Sequence, residues 1–247
     1  MSGAAGPQFM EKTTYRQMGP SDQEKGLPQP PLEKPVAAAR RRIDLPDPRT
    51  VPVTAIDLTA AIAARVSTRK FAAAPMTLGE LSYLLWATQG VRQVTIRPTT
   101  LRTVPSAGAR HPFETYLLVN RVAGLPPGLY RYLAIDHKLV EEDRSEGIAD
   151  RVLDASLRQQ FLVEGAATFI WVAVAYRSFW RYGERSYRYL HLDAGHVAQS
   201  LYLAVQAVGG GCCVVGAYDD EAVNAAIGLD GVEEFVIYMA GVGKTGG

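Results

Sequence analysis

The longest segment without Asp, Glu, Lys or Arg in this chain spans residues 194–218. A segment of that length raises the question of a membrane-spanning helix, for which about 20 consecutive apolar residues suffice. His196 and Gln206 lie within it, and consecutive glycines at 209–211 would interrupt a helix. We therefore predict a buried helix, a turn and a buried strand, and no membrane span.

The predicted helix begins before this segment and covers about residues 185–208, the longest helix in the chain. Its apolar residues recur at helical spacing, which is typical of a helix at the centre of a domain. Thr77 and Glu80 match a capping box that begins a second helix, and Gly90 ends it. Shorter helices are predicted over residues 57–65, 146–160 and 219–228.

Runs rich in β-branched and aromatic residues predict strands. The run 168–176 is almost wholly apolar, as expected of a strand covered on both faces. Helices and strands do not alternate strictly, which indicates an α+β domain. The predicted strands cover residues 114–120, 128–133, 138–142, 168–176, 212–217 and 234–240.

The N-terminal part of the chain is rich in proline and poor in large apolar side chains. We predict a proline-rich arm over residues 1–52 and one domain over 53–247. In an oligomer, such arms often lie across a neighbouring chain. The basic triplet 40–42 is interpreted as solvated charge, with a nucleic-acid contact as the alternative.

The chain of 247 residues carries 26 Lys and Arg against 25 Asp and Glu, a formal net charge of +1. This balance gives no electrostatic reason to expect nucleic acid or an anionic membrane as a partner. Cys212 and Cys213 are adjacent and can form neither a disulfide framework nor a zinc site. Because residues 1–30 show no signal peptide, we expect a reducing compartment and a cytoplasmic protein.

Two patterns that suggest ligands are better explained in other ways. Residues 241–246 read G-x-G-x-x-G, but they follow the last predicted strand and leave no chain for the helix of a dinucleotide site. His191, Asp193 and His196 scatter around a helix, which favours packing or hydrogen bonding over a metal site. We predict no metal.

Arg65, Ser67 and Arg69 alternate directly after a predicted helix. In an extended segment this spacing places the side chains on one face, where two guanidinium groups and a hydroxyl can bind a phosphate. The alternative is a solvent-exposed basic strand. The loop 105–112 has small residues between two prolines, so its backbone amides can approach a flat ligand. Its alternative is an ordinary surface turn.

Taken in order, these motifs resemble the FMN-dependent nitroreductase superfamily, in particular its SagB-like branch with the azoline oxidases. The segment 65–71, the helix 77–90, the loop 105–112 and the motifs at 187–196 carry the resemblance, which covers about residues 44–243. It implies an α+β nitroreductase-like fold. In that fold a central, mostly antiparallel sheet is flanked by helices, and two chains form an intertwined homodimer.

The resemblance also implies an FMN site at the subunit interface, where residues 105–108 reach across from the other subunit. The implied contacts are Arg65, Val66, Ser67 and Arg69 to the phosphate, ribityl chain and ring edge; Pro105, Ser106, Ala107 and Gly108 to the ring face; Val215, Gly216 and Ala217 to N5 and O4; and Lys244 to the phosphate.

The implied activity is hydride transfer through flavin N5 by a ping-pong mechanism, with NAD(P)H or a reduced substrate as donor. Arg69 is the candidate cation near N1 and O2 of the ring. The substrate is a small molecule or is borne on a peptide. The alternative is a flavin-binding or apo scaffold without turnover in a peptide-modifying complex.

The azoline-oxidising branch uses a lysine and a tyrosine before its long helix, where this sequence has Arg181 and Tyr182. Arginine stays protonated, so it can orient an anion but is a poor general base. This departure weighs against azoline oxidation. We assign Arg181 and Tyr182 as the catalytic candidates, with Tyr182 for proton transfer. The alternative for Tyr182 is an aromatic wall of the flavin pocket.

Overall fold

The computed structural model describes residues 4–246. Residues 1–3 and 247, at the outer ends of the predicted arm and domain, lie outside the described residues. In chain order the elements are α1 (Ala5–Lys12), β1 (Arg42–Asp44), α2 (Leu58–Ala64), β2 (Met76–Thr77), α3 (Leu78–Gln89), β3 (Val91–Val94), β4 (Thr100–Arg102), β5 (Phe113–Val119), β6 (Val122–Ala123), β7 (Gly128–Leu133), β8 (Lys138–Asp143), α4 (Ile148–Ala155), α5 (Phe161–Glu164), β9 (Ala167–Val174), α6 (Ala175–Tyr182), α7 (Ser186–Ala207), β10 (Gly210–Val215), α8 (Asp220–Ala226) and β11 (Glu234–Lys244).

A seven-stranded sheet forms the centre of the molecule, in the order β1-β8-β7-β5-β9-β11-β10. Every pairing within it is antiparallel. Helices α3 and α7 pack on one face, and α4, α5 and α8 pack on the other. The prediction of an α+β fold with an antiparallel sheet flanked by helices is confirmed.

Strand β9 shows why both faces of the sheet are covered. Phe169 and Trp171 point into the core shared with α3 and α7, whereas Ile170 and Val172 point into the opposite core. All four side chains are fully buried. Since successive side chains of a strand point to opposite faces, a wholly apolar strand needs cover on both sides.

Helix α7 is the 22-residue helix predicted from the charge-free segment. The following Gly209 adopts a φ of +61°, a left-handed conformation that glycine favours, and the chain continues directly into β10. Helix, turn and strand therefore follow the predicted order. Within the described residues, no helix combines the length and the apolar character that a membrane crossing requires.

The predicted capping box is confirmed, and the structure adds a second helix cap. Asp57 accepts a hydrogen bond from the Ala60 amide at the start of α2. Thr77 and Glu80 form the reciprocal bonds of a capping box at the start of α3. Each cap satisfies amides that have no partner within the helix, and so fixes where the helix begins.

The structure corrects several predicted boundaries, among them the helix predicted over 146–160, which ends at Ala155, and the strand predicted over 212–217, which ends at Val215. The strand predicted over 168–176 ends at Val174, because the Val174 amide bonds to the Pro112 carbonyl and the chain then turns into α6. The last strand extends beyond the predicted end at Ala240, since residues 241–244 pair with 210–213 of β10. The G-x-G-x-x-G spelling therefore lies mostly within β11.

Part of the N-terminal arm is attached to its own chain. Strand β1 pairs with β8 at the edge of the sheet. The Trp180 indole donates to the Leu27 carbonyl, and Arg131 donates to the carbonyls of Lys34 and Pro35. The arm thus crosses α6 and the sheet, held by hydrogen bonds to its backbone carbonyls.

Candidate functional site

The segment after α2 lies along β10 through backbone hydrogen bonds. The Thr68 amide donates to the Cys212 carbonyl at 2.9 Å, and Ser67 forms an isolated parallel bridge with Cys212. A Cβ at Gly211 would lie 2.6 Å from Thr68 Oγ1, so this close approach requires glycine. The backbone of residues 65–69 is therefore fixed against the sheet.

Three side chains of this segment, Arg65, Ser67 and Arg69, form what we call the Arg65 cluster. Arg65 lies with Cζ 5.1 Å from the centre of the Tyr202 ring, and Ser67 Oγ is 2.9 Å from Tyr202 Oη. Arg69 lies over the Phe161 ring at 5.9 Å. Sequence reasoning missed Tyr202, which the apolar spacing of the helix marks only as a core position.

The two guanidinium groups of the Arg65 cluster carry unbalanced charge. Among residues 4–246, neither Arg65 nor Arg69 has a carboxylate oxygen within 4.0 Å. Ser67 and Arg69 are exposed and Arg65 is half-buried, so the cluster is open to solvent. Such a pair of cations beside a hydroxyl can bind an anion.

The two thiols next to the cluster remain protonated. Burial raises the pKa of Cys212 to about 12, more strongly than the nearby charge of Arg65 lowers it. Burial also raises the pKa of Cys213, against the opposing effects of Arg69 and the Ser67 hydroxyl. Both cysteines are buried and unpaired within the described chain. They are small core residues of β10.

The second motif forms a loop that α7 fixes in place, here called the Ser106 loop (residues 105–108). Ser106 Oγ donates to Asp193 at 2.5 Å, and the Ala107 amide donates to the same carboxylate at 3.2 Å. Burial raises the pKa of Asp193, opposed by these hydrogen bonds. Asp193 therefore has the hydrogen-bonding function predicted for it, while Pro105 stays exposed.

Arg181 and Tyr182 lie directly against this loop. Gly108 has a φ of +57°, and a Cβ there would lie 2.3 Å from Tyr182 Oη and 3.0 Å from Arg181 Nε. The Tyr182 ring packs edge-on against Tyr189, with 4.8 Å between ring centres. The structure thus brings both catalytic candidates to the Ser106 loop.

The Arg65 cluster and the Ser106 loop do not meet within one chain. Their contacts on α7, Tyr202 and Asp193, are nine residues apart, which is about 14 Å along a helix axis. Nine residues also correspond to two and a half turns, so the two side chains project from opposite sides of the helix.

The remaining cofactor-binding candidates are residues 215–217 and Lys244, and they lie in different parts of the molecule. Val215 ends β10, and Gly216 and Ala217 follow it in exposed positions beyond the Arg65 cluster. The Lys244 ammonium instead lies 2.7 Å from the Glu80 carboxylate and also donates to the Val208 carbonyl. Lys244 is thus paired with an acid, and the structure gives it no contact with the Arg65 cluster.

No group of three or more His, Cys, Asp or Glu side chains between residues 4 and 246 is arranged to hold a metal ion. His191 Nδ1 donates to the Tyr187 carbonyl of its own helix at 2.7 Å. The polar groups at the candidate site are therefore guanidinium groups, hydroxyls and backbone amides, which suit an anionic, hydrogen-bonding ligand.

Two relatives share sequence with the chain. It is 33% identical over 202 residues to a protein of Methanocaldococcus jannaschii that carries the name nitroreductase, covering 82% of this chain and 96% of that protein. It is 34% identical over 137 residues to the trifolitoxin-processing protein TfxB of Rhizobium leguminosarum bv. trifolii, covering 52% of this chain but 36% of TfxB.

Solved structures share the fold. A Ralstonia eutropha protein named as a nitroreductase is 25% identical with a TM-score of 0.67, over 90% of this chain and all (100%) of that one. An Anabaena variabilis protein also named as a nitroreductase has a TM-score of 0.67 at 26% identity, over 85% of this chain but 42% of its own length. A Desulfovibrio desulfuricans protein crystallised with FMN has a TM-score of 0.55 at 14% identity, over 78% of this chain and 89% of that one.

The model of the nitroreductase family matches residues 62–244. This match begins in α2, includes both motifs and ends with β11. The chain belongs to the nitroreductase family.

Proposed function

We propose that this chain is an FMN-dependent oxidoreductase that works as a homodimer with FMN at the subunit interface. The Arg65 cluster is the observation that carries the proposal. It holds two guanidinium groups without carboxylate partners, and a hydroxyl, on a backbone fixed against the sheet. Family membership and the FMN complex of a structural neighbour support the same cofactor.

The residues present fit FMN in charge and in hydrogen-bonding groups. Arg65 and Arg69 would neutralise the phosphate, and Ser67 would donate to it or to the ribityl chain. The exposed position of Val66 leaves room for the ribityl chain. The amides at 215–217 would donate to the ring, where FMN when bound supplies hydride transfer at N5. We place Lys244 outside this set because Glu80 already neutralises it.

The separation of the two motifs supports the homodimer. One chain presents its Arg65 cluster and its Ser106 loop on opposite sides of α7, so the loop of a second chain completes the site. Helix α2, directly before the Arg65 cluster, exposes large apolar side chains. Leu58 is 63% exposed and Ile62 is 56% exposed. Burial of these side chains would stabilise a dimer.

Tyr182 and Arg181 would face the substrate at the Ser106 loop. Arg181 orients an anion and does not accept a proton at ordinary pH. Tyr182 is the proton donor or acceptor that we assign to this position. The donor of hydride is NAD(P)H or a reduced substrate in a ping-pong cycle, with the protein in the cytoplasm. Similarity to TfxB and to the SagB-like branch supports a peptide-borne substrate as the alternative to a small molecule.

The first test is the absorbance spectrum of the purified chain, followed by identification of any flavin released on heating. We expect about one FMN per chain, and loss of most of it in Arg65→Ala. Arg144→Gln removes an exposed guanidinium on the far side of the sheet and should keep the flavin. A colourless protein that fails to take up added FMN would instead favour the scaffold without turnover.

A second test addresses the interface directly. Arg65→Ala and Ala107→Trp each remove one half of the proposed site, so each homodimer should lack FMN. A mixed dimer of the two variants contains one intact site if the halves come from different chains, and none if they come from the same chain. Recovery of about one FMN per mixed dimer supports the interface, and no recovery overturns it.

A further inference from the structure

A cavity of about 710 Å³ separates the N-terminal arm from the end of α6. Its inner wall is formed by Arg181 and Tyr182, the two residues that contact Gly108 of the Ser106 loop. The outer wall belongs to the arm and consists of Tyr15, Met18, Gly19, Pro20, Ser21, Gln23 and Glu24.

Hydrogen bonds to α6 hold the arm in this position. The Gln23 amide donates to the Trp180 carbonyl at 2.8 Å, and the Tyr176 hydroxyl donates to Asp22 at 3.2 Å. Further along the arm, the Trp180 indole donates to the Leu27 carbonyl at 2.9 Å. The outer wall is therefore attached to the same helix that carries Arg181.

The inner wall carries positive charge without a balancing acid. Among the described residues, no carboxylate oxygen lies within 4.0 Å of the Arg181 guanidinium, which is exposed and lies 5.6 Å from the Tyr182 ring. Arg110 donates to the Gly108 carbonyl and the Thr99 hydroxyl and lies over the Trp180 ring. Burial lowers the pKa of Arg110, and the charge of Arg181 lowers it further.

The acids around the cavity have hydrogen-bond partners other than Arg181. Glu24 lines the cavity and accepts hydrogen bonds from the amide and hydroxyl of Ser21, which lower its pKa and keep it charged. Asp22 accepts from Lys25 and Tyr176, and Asp193 accepts from the Ser106 loop. Glu184 follows α6 in an exposed position and forms no ion pair with Arg181 among residues 4–246. An anion that enters the cavity can therefore bind the Arg181 guanidinium, which has no carboxylate partner among the described residues.

We propose that this cavity binds an oxyanion group, a carboxylate or a phosphate, of the molecule that reacts at the flavin, with Arg181 as its ligand and the arm as its outer wall. The proposal rests on the proposed function, since it takes the Ser106 loop as the flavin loop. Arg181 presents parallel N–H donors that match either oxyanion, so the arginine at this position selects substrates by charge.

Titration calorimetry on the purified protein tests the anion site without relying on turnover. The probes are 4-nitrobenzoate, its neutral analogue 4-nitrobenzamide, and inorganic phosphate. We expect the benzoate to bind about tenfold more tightly than the benzamide, as one charge-assisted interaction allows. Arg181→Gln should abolish this preference, and Arg144→Gln should keep it. Equal binding of the two nitro compounds, or a preference that survives in Arg181→Gln, overturns the proposal.

The phosphate probe distinguishes the two sources of the oxyanion. If phosphate displaces the benzoate from the wild-type protein, the site accepts a phosphate-bearing donor as well as a carboxylate. If it does not, the site is specific for carboxylates. Either result supports an oxyanion site provided that Arg181→Gln removes the binding.

A second variant tests the outer wall. A Cβ at Gly19 meets no atom within 4 Å, so Gly19→Trp should fold and fill part of the cavity. We expect at least about tenfold weaker binding of both nitro compounds, with the FMN content unchanged. Unchanged binding in Gly19→Trp excludes the arm as a wall. A wild-type protein that lacks FMN refutes the proposed function, whereas one that holds FMN but shows no charge preference refutes only this inference.

Discussion

Two groups of arginines in this molecule differ in whether an acid balances them. Arg131 and Arg177 are buried, and both form ion pairs with the buried Glu114. Arg65 lies half-buried against Tyr202 of α7, and Arg69 lies exposed against Phe161 of α5. A buried charge requires a partner to be stable, whereas an exposed one does not. The unbalanced pair is therefore available to a ligand, and the balanced pair is committed to the fold.

Glu114 also attaches the arm to the sheet. It accepts a hydrogen bond from the Lys34 amide at 2.7 Å, while Arg177 donates to the Pro31 carbonyl at 2.9 Å. Burial raises the pKa of Glu114, but the charges of Arg177 and Arg131 lower it by more. The net shift is downward, so the carboxylate stays charged. One acid thus connects β5, β7, α6 and the arm.

The largest effect that we predict comes from breaking this network. Glu114→Ala leaves two buried guanidinium groups without their shared acid, which typically costs about 3–5 kcal/mol of unfolding free energy. Urea denaturation measures the loss. FMN occupancy of the folded fraction should be kept, because Glu114 does not contact the Arg65 cluster. A stability within about 1 kcal/mol of wild type would contradict this account.

A substitution in the unbalanced pair, Arg69→Ala, should weaken cofactor binding and leave the fold intact. Arg69→Ala removes an exposed cation, so the unfolding free energy of the flavin-free protein should change by less than about 0.5 kcal/mol. Loss of one charge-assisted contact, about 1.5–3 kcal/mol, should weaken FMN binding by at least about tenfold. Fluorescence titration with FMN measures the affinity. If Arg69→Ala unfolds the protein, the distinction between the two groups of arginines is wrong.

His111 is buried beside the Ser106 loop, and its protonation makes stability depend on pH. Burial, then the charges of Arg102 and Arg110, lower its pKa from 6.5 to about 3. The unfolded chain therefore binds a proton below pH 6.5 that the folded chain refuses, and stability falls as the pH decreases. We expect a loss of about 2 kcal/mol between pH 7 and pH 5.

His111→Asn isolates that contribution. Asparagine tolerates the positive φ of 44° at this position and carries no titrating group. Urea denaturation at pH 5, 6 and 7 should show a flatter pH dependence for the variant than for the wild type. Identical slopes would show that other groups, such as His137, whose pKa burial also lowers, determine the acid sensitivity.

Local patterns made much of the fold predictable from the sequence. The caps at Asp57 and Thr77 and the helical spacing of α7 depend only on residues within a few positions of each other. Helix α6 was missed because its first residues continue the apolar run of β9, and no capping residue marks its start. The Glu114 network was missed because its partners are 17 and 63 residues away in the chain.

The candidate site was likewise predictable only where its signal is local in the sequence. The alternation at 65–69 and the small residues of the Ser106 loop were visible in the sequence, and family resemblance connected them. The pairing of Lys244 with Glu80 across 164 residues was not visible. Nor did the sequence show that α7 separates the two motifs by presenting Tyr202 and Asp193 on opposite sides. Both depend on contacts that exist only once the sheet has formed.

Tyr202 gives the smallest and most specific test. Its hydroxyl lies 2.9 Å from Ser67 Oγ and accepts a hydrogen bond from the Val214 amide at 3.3 Å, so it joins the Arg65 cluster to β10. Tyr202→Phe keeps the ring beneath Arg65 and removes only these bonds, at a cost of about 1 kcal/mol in unfolding free energy. Because the ring remains, FMN affinity should fall only several-fold, less than in Arg69→Ala. Tyr202→Leu removes the ring as well and should weaken FMN binding further. Equal affinities in the two Tyr202 variants would show that the hydroxyl alone positions the cluster, and that the contact between Arg65 and the ring does not contribute to cofactor binding.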